Sequence, residues 1–431
     1  MLRLNLRSVR FRIFAAVVFV AIVVLGLGGG NRVYVAWQIR TAKTMMNMGS
    51  VSRVQVALRQ LDLAAGDEPP DAPELLYLLG RASRRAGSFE KGLEYLQMAE
   101  SAGWDKDLVQ QQRRLAFFQR GRIDEGALDR LLQQNASDEL AYEVYEALAK
   151  GYLFSYRFTD ALHCLNFWSD WCPTATDPRM WRGGIWVQSQ RWDKANQEYQ
   201  AVLKIDPSHL DARLALAQIL LHRLNQVESA RREFQICLDQ SPGNFDAELG
   251  LAACERRLAD SEGAERRLRR LLNRDLTPEQ LTSLQMELGQ ALLERRAHPE
   301  AVAILSEVVE SDPLSSAAYY ALGSAYAIGG DREKSKECFE RSKALLEQFT
   351  RLTTITAELI NHPEMADLRW EAGKILMDQK LFTEGAAWMA TALIYEPNHQ
   401  PTHKSLAEYY EKIKPDERLA RQHREKTNAS K

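Results

Sequence analysis

Small residues recur along most of this chain at intervals close to 34 residues, and most of them follow a leucine. They stand at Gly80, Ala116, Ala149, Gly183, Ala217, Ala252, Gly289, Gly323, Gly373 and Ala407. The separations are 33 to 37 residues, except for one of 50 residues between Gly323 and Gly373. A fixed period of this length is typical of stacked repeats, and a chain of 431 residues is too long for one compact core.

Each repeat predicts two helices joined by a short turn. The segment ALGSAYAIGGDREKSKECFERS has apolar residues at helical spacing on both sides of the polar turn Gly329-Gly330-Asp331. Prolines such as Pro313 and Pro397 stand where the second helix of a unit should end. The sequence has no alternating strand pattern and no βαβ signal, so the predicted class is all-α.

This pattern resembles the tetratricopeptide repeat, whose period is 34 residues. The resemblance implies a right-handed superhelical array of antiparallel helix pairs, a solenoid of about ten units over residues 73–425. An insertion near 343–362 explains the one long interval, and it either lengthens a helix or adds one. Residues 31–72 are predicted as a juxtamembrane and leading helical segment, and 426–431 as a polar tail.

The N-terminal segment predicts a membrane anchor. Residues 13–30, IFAAVVFVAIVVLGLGGG, contain no charge and are just long enough for a helix to cross a bilayer of about 30 Å. The basic head at 1–12 favours a cytoplasmic N-terminus, which would put the array of a single-pass protein outside the cytoplasm, in the periplasm. A cleaved signal peptide and a mitochondrial address are the alternatives.

Five of the nine tryptophans lie within the stretch WSDWCPTATDPRMWRGGIWVQSQRW. By their place in the repeat, Trp168, Trp186 and Trp192 are predicted to fill the core between helices. Trp171 and Trp181 have no such place in the repeat, so they are candidate exposed anchors for a partner.

The concave surface of such an array is lined mainly by first helices, and the resemblance implies that partners bind there. The predicted partner-binding residues are Lys150, Phe154, Trp171, Met180, Trp181, Gln218, His222, Arg256, Tyr320, Trp370 and Lys374. Glu143 and Glu146 are expected on the same surface. The lysine and asparagine of the family's clamp for a terminal carboxylate are missing at the matching positions, so that specificity is not carried over.

No sequence motif of an enzyme or of a cofactor site is present, and we predict neither. His399 and His403 in HQPTH are four residues apart, which is the spacing of a metal pair on a helix, although capping and packing explain them as well. Five cysteines without a CxxC pattern are predicted to be buried thiols. A net charge of −2 argues against nucleic acid as a partner.

These patterns predict a membrane-tethered, non-enzymatic scaffold or adaptor that binds a protein or peptide partner and can form homo-oligomers. One alternative is a cytoplasm-facing assembly factor or an import-receptor-like protein. Another is a metal or redox accessory protein that uses the HQPTH segment.

Overall fold

The computed structural model describes residues 39–43, 46, 51–65, 72–123 and 138–428, and these residues are helical apart from short turns. Twenty helices are numbered here in chain order. They are α1 (Val51–Ala65), α2 (Pro73–Arg85), α3 (Phe89–Ser101), α4 (Lys106–Gln119), α5 (Asp138–Phe154), α6 (Phe158–Trp171), α7 (Asp177–Gln188), α8 (Trp192–Ile205), α9 (Leu210–His222), α10 (Val227–Gln240), α11 (Phe245–Arg257), α12 (Ser261–Leu271), α13 (Pro278–Glu294), α14 (His298–Ser311), α15 (Ser316–Gly329), α16 (Arg332–Asn361), α17 (Ala366–Asp378), α18 (Phe382–Tyr395), α19 (Gln400–Lys412) and α20 (Glu417–Asn428).

The chain divides into two compact units, Met1–Phe154 and Ser155–Lys431. The first unit contains α1 to α5, and its apolar core is built from side chains of α1, α2, α3, the start of α4, and Ala42 and Met46, which precede α1. The second unit contains α6 to α20, and its apolar clusters each join helices of neighbouring pairs. The all-α class predicted from the sequence is confirmed for the described residues.

A backbone signature recurs at most of the turns that follow a first helix in the described part of the chain. One residue with a positive φ angle stands after the first helix, and it need not be glycine, as Tyr156 (φ 51°) and Lys380 (φ 65°) show. The residues are Gly87, Gly121, Tyr156, Gln190, Asn225, Ala259, Arg296, Gly330 and Lys380. They recur with the same period as the small residues, including the one long interval between Gly330 and Lys380. The repeat therefore specifies a turn conformation as well as a core position.

At Gly183 the small residue of the repeat lets two neighbouring helices approach closely. A Cβ atom added at Gly183 in α7 would lie 2.5 Å from the ring of Tyr199 in α8, whereas one added to the adjacent Gly184 would meet nothing within 4 Å. The two glycines share a helix and differ in the side of it that they occupy, so they form a matched pair for a test of helix packing.

We expect Gly184→Ala to stabilise the fold by about 0.5–1 kcal/mol, because alanine is the better helix former and has open space there. Gly183→Ala should destabilise it by about 1–3 kcal/mol, because the added methyl group overpacks the contact with Tyr199. Urea unfolding of both variants beside the parent protein measures the difference. Equal effects of the two substitutions would contradict the close approach at Gly183.

The helices from α6 to α16 form a closed circuit of contacts within the second unit. Each packs against the next, and α16 also packs back against α6. α16 is 30 residues long and contains nearly all of the segment interpreted as an insertion. Its last residues reach α6, where Thr159 Oγ1 donates a hydrogen bond to the carbonyl oxygen of Ile360 at 2.8 Å.

The pair formed by α17 and α18 strengthens this closing contact. The rings of Tyr156 and Trp388 stack with centroids 4.3 Å apart, and Phe158 lies against the same indole at 6.1 Å. The fully buried Arg369 donates from Nη1 to the carbonyl oxygen of Tyr156 at 3.1 Å. Side chains about 200 residues apart in sequence therefore share one core.

The predicted single-pass membrane localisation is wrong for the residues that the structure describes. Across the described part of the chain, every helix is too short or too polar to cross a bilayer. Even the 30-residue α16 carries charged side chains along its length. The predicted anchor at 13–30 and the basic head at 1–12 lie outside the described residues.

The predicted position of Glu143 and Glu146 on the concave surface is also wrong, because both side chains are buried. Arg81 and Arg84 of α2 form ion pairs with Glu143, and Arg85 forms one with Glu146. Charges on two helices of the first unit thus satisfy each other inside the protein.

Candidate partner-binding groove

A pocket of about 440 Å³ lies on the second unit between α13, α15 and α16. We call it the groove pocket. Its lining residues are Arg256, Gln290, Leu293, Glu294, Ser316, Ala317, Tyr320, Ala321, Ser324, Ser342 and Leu346. Two of the predicted partner-binding residues, Arg256 and Tyr320, therefore lie in one cavity.

The sequence of α15 explains why Tyr320 faces the pocket. Leu322, Gly323 and Ala325 belong to the buried side of this helix. Ser316, Tyr320 and Ser324 are spaced four residues apart, so they share the other face. The ring of Tyr320 is 62% exposed, yet it rests on Phe339 of α16 with the centroids 5.4 Å apart. This aromatic ring is both held in place and accessible.

The long helix α16 supplies the opposite wall. Ser342 Oγ donates to the carbonyl oxygen of Ser316 at 2.7 Å and ties α16 to the start of α15. Leu346 follows one turn later and Phe349 almost one turn after that, and both are about half exposed. The second helix of other repeats is about 14 residues long. A helix of that length beginning at Arg332 would end near Leu345, before these two side chains.

The charges beside the groove pocket are paired with each other. Arg256 donates to Glu287 at 3.2 Å and to Glu294 at 2.9 Å. Burial works against the charged guanidinium, but the two carboxylates outweigh that effect and hold the pKa of Arg256 above its ordinary value. The lining of the pocket is therefore mostly apolar, and Arg256 lies at its rim together with its two carboxylate partners.

A basic cluster lies next to this rim, at the C-terminal ends of α9 and α11. It consists of His222, Arg223 and Arg257, with Arg256 as the residue shared with the groove pocket. Desolvation, followed by the charges of Arg257, Arg223 and Arg256, lowers the pKa of His222 to about 4. The imidazole is therefore neutral at pH 7, and the positive charge of the cluster comes from its arginines.

Other predicted binding residues belong to the packed interior or to its ion pairs. Lys150 Nζ donates to Glu146 and to the carbonyl oxygen of Arg85, both at 2.6 Å. Trp181 packs edge-on against the buried Trp168, with ring centroids 5.4 Å apart. Met180 packs on the core between α8 and α11, and Trp370 donates from Nε1 to Ser405 Oγ at 3.0 Å.

The remaining predicted residues are exposed but lie outside the groove pocket. They are Phe154, Trp171, Gln218, His222 and Lys374. His222 comes close to the pocket through Arg256, and the described contacts do not bring the others to it.

Leu346 lines the groove pocket and was missed from the sequence, as was the exposed Phe349, which follows it on α16 outside the lining. They fall inside the predicted insertion, which has no counterpart in the repeat, so the repeat could not assign them a side. Their spacing from Ser342, four and then three residues, is the helical signal that could have placed them on one face.

The histidines of HQPTH are satisfied by hydrogen bonds. His399 bonds Thr402 Oγ1 at 2.8 Å and Asp367 Oδ1 at 3.0 Å. His403 faces His423 through Nδ1 atoms 2.8 Å apart, and its Nε2 atom lies 2.9 Å from the carbonyl oxygen of Pro397. Nowhere in the described ranges do three or more His, Cys, Asp or Glu side chains form a group that could hold a metal ion.

Four of the five thiols lie in buried environments that suppress their reactivity. Cys164, Cys237, Cys254 and Cys338 are buried, and none of the five cysteines forms a disulfide. Burial raises the pKa of Cys164 to about 12, which keeps its thiol protonated at neutral pH. The described thiols therefore give no support to a redox role.

The histidine pair makes the last helix sensitive to pH. Burial, and then the neighbouring His403, lower the pKa of His423 below its ordinary value of 6.5. The unfolded chain thus binds more protons than the folded one below about pH 6.5, so stability is present above that pH and falls on acidification. We expect the unfolding midpoint to drop between pH 7 and 5, and His423→Gln to flatten that slope. His362→Gln replaces an exposed histidine and should leave the slope as it is in the parent protein. An unchanged slope in His423→Gln would contradict the coupling.

Comparisons with known proteins agree with the repeat pattern. One tetratricopeptide repeat model matches residues 187–236, and another matches residues 50–107, 249–316 and 286–335. No curated protein matches the chain. The matched segments show that the chain carries tetratricopeptide repeats.

Several solved structures are similar at low sequence identity. YrrB, described as a tetratricopeptide repeat protein with an unusual peptide-binding site, is 20% identical, with 44% of this chain and 95% of YrrB covered and a TM-score of 0.30. The APC/C hetero-tetramer Cut9-Hcn1 is 15% identical, with 98% and 92% covered and a TM-score of 0.38. PilF of Pseudomonas aeruginosa is 14% identical, with 54% and 97% covered and a TM-score of 0.33.

Proposed function

We propose that this tetratricopeptide repeat protein is a non-enzymatic adaptor that binds an extended segment of a partner protein in the groove pocket. The observation that carries the proposal is the exposed ring of Tyr320, fixed against Phe339 and facing the half-exposed Leu346 across an apolar pocket. Large side chains that stay accessible while their backbone is rigid are characteristic of binding hot spots.

The dimensions of the pocket fit a peptide anchor. A volume of about 440 Å³ is enough for one or two large side chains. Gln290, Ser316 and Ser324 place polar groups around the apolar centre, where they can bond the backbone of a bound segment. Exposed apolar side chains gathered in one groove mark an interaction site, whereas single ones scattered over a surface do not.

The test is selection of peptides against the purified full-length chain, with a random library of 12-residue peptides as the probe. Peptides that bind in the groove pocket should carry a large apolar side chain. Tyr320→Ala should weaken their binding at least about tenfold, which corresponds to about 1.4 kcal/mol. Leu346→Ser should act in the same direction.

Phe167→Ala is the matched control, because Phe167 is 66% exposed on α6 and does not line the groove pocket. It should leave peptide affinity unchanged. If Phe167→Ala weakens binding as much as Tyr320→Ala does, or if neither groove variant weakens it, the binding site is elsewhere and the proposal fails.

A further inference from the structure

The basic cluster beside the groove pocket contains two arginines that no carboxylate neutralises within the described residues. Arg223 rests on the ring of Trp192, with its guanidinium carbon 4.6 Å from the centroid. Arg257 Nη1 donates to the carbonyl oxygen of Leu221 at 2.8 Å and lies 3.4 Å from Asn225 Oδ1. Both side chains are exposed, and each keeps several N–H donors available.

Nearby arginines of the same unit behave differently. Arg182 is paired with Glu198, Arg213 with Glu233, and Arg267 with Glu248 and Glu255. Arg256, adjacent to Arg257 in sequence, has two carboxylate partners. These four arginines are therefore neutralised by carboxylates, whereas Arg223 and Arg257 keep a local positive charge.

We propose that these two arginines bind an acidic side chain of the partner segment, so that the groove selects peptides with an acidic residue close to the apolar anchor. This inference rests on the proposed function. A guanidinium held by a stacked ring or a carbonyl oxygen is oriented before the ligand arrives, which lowers the entropic cost of forming a charge-assisted hydrogen bond.

The distance between the basic cluster and the groove pocket sets the separation between the acidic residue and the apolar anchor in the peptide. The cluster stands at the ends of α9 and α11, and the groove pocket begins at Arg256 of α11 and continues to α13 and α15. Packed helices lie about 8–10 Å apart, and an extended chain rises about 3.3 Å per residue. We therefore expect the acidic residue about three to six positions from the apolar anchor.

The neutral imidazole of His222 adds to this selection at physiological pH. It contributes no charge at pH 7, so its ring can donate or accept a hydrogen bond without adding to the repulsion among the arginines. The charge of the cluster then comes from its guanidinium groups, which stay protonated at physiological pH.

The experiment uses the same peptide library against the full-length chain and compares the composition of the selected peptides. The parent protein should enrich Asp and Glu at three to six positions from the apolar anchor. The variant Arg223→Glu with Arg257→Glu should lose that enrichment or favour Lys and Arg, and should bind the parent's peptides at least about tenfold more weakly. Affinity of the parent for those peptides should fall as salt is raised.

Arg266→Glu is the control, because Arg266 is exposed on the second helix α12 and lies outside the cluster. It should change neither composition nor affinity. Far-UV circular dichroism checks folding, and Arg223→Gln with Arg257→Gln replaces the charge reversal if that variant unfolds. Peptides that bind through Tyr320 without acidic enrichment would overturn this inference alone. Failure of every peptide to bind would overturn the proposed function together with it.

Discussion

Replacing Glu143 by glutamine is expected to lower the free energy of unfolding of the first unit by about 3–5 kcal/mol. Glu143 is 2% exposed and accepts hydrogen bonds from Arg81 and Arg84, while Gln112 Nε2 donates to it at 3.0 Å. The amide keeps the shape of the side chain but removes its charge. Two buried guanidinium groups would then lack their shared counter-ion, which is the costly way to break a buried ion pair.

The same carboxylate links stability to pH. Burial alone would raise its pKa, but Arg81, Arg84 and Arg85 outweigh burial and hold the pKa of Glu143 at about 2. Because the folded pKa lies below the ordinary value of 4.5, this contribution is fully present above that pH. It is lost as the pH falls from about 4.5 towards 2, and Glu143→Gln should lack this part of the acid transition.

Urea unfolding followed by circular dichroism measures the loss, and Glu139→Gln is its matched control. Glu139 also pairs with Arg81 and lies on the same helix, but its side chain is 36% exposed. Solvent-exposed pairs contribute about 0–1 kcal/mol. If Glu139→Gln cost as much as Glu143→Gln, burial would not be the reason for the effect, and the account of the network would be wrong.

The repeat made the local features of the fold predictable. A 34-residue period identifies where a helix must carry a small residue and where a large one fills the core, and it placed Trp168 correctly in the interior. It also predicted that Trp186 and Trp192 pack on the core, where the structure has them as partly buried side chains. These assignments depend on neighbours within about one repeat, and a periodic pattern encodes that range directly.

Contacts between distant repeats could not be predicted in this way. Glu143 occupies a position that faces a groove in the generic repeat, and only the arginines of α2, about 60 residues earlier, make it an interior residue. The groove pocket shows the same limit. Tyr320 was predicted from its place in the first helix, whereas Leu346 belongs to a helix extension that the repeat does not describe.

The closing contact between α6 and the region from α16 to α18 leads to the second large effect. We expect Trp388→Ala to destabilise the second unit by about 3–5 kcal/mol, as is usual for a buried tryptophan. The indole is 6% exposed, stacks on Tyr156 and touches Phe158, so its loss leaves a cavity between parts of the chain that are far apart in sequence. Arg369 would remain buried beside that cavity, with Thr391 Oγ1 as one of its acceptors.

Trp171→Ala is the control for ring size, because Trp171 is 37% exposed at the end of α6. It should cost clearly less than Trp388→Ala in a thermal or urea transition. Hydrogen exchange then locates the damage. In Trp388→Ala, amides of α6 and of the last turns of α16 should exchange faster, while those of α11 to α14 keep the protection of the parent protein.

Uniformly faster exchange across α6 to α20 would contradict this expectation, because it would mean that Trp388 supports the whole unit and not the closing contact. Local acceleration would instead show that the circuit can open while its helix pairs stay folded. The groove pocket would then be affected through α16, because the helix that reaches α6 with Ile360 also carries Leu346. The peptide affinity of Trp388→Ala, compared with that of the parent protein, would therefore show how strongly the closing contact holds α16 in place at the groove pocket.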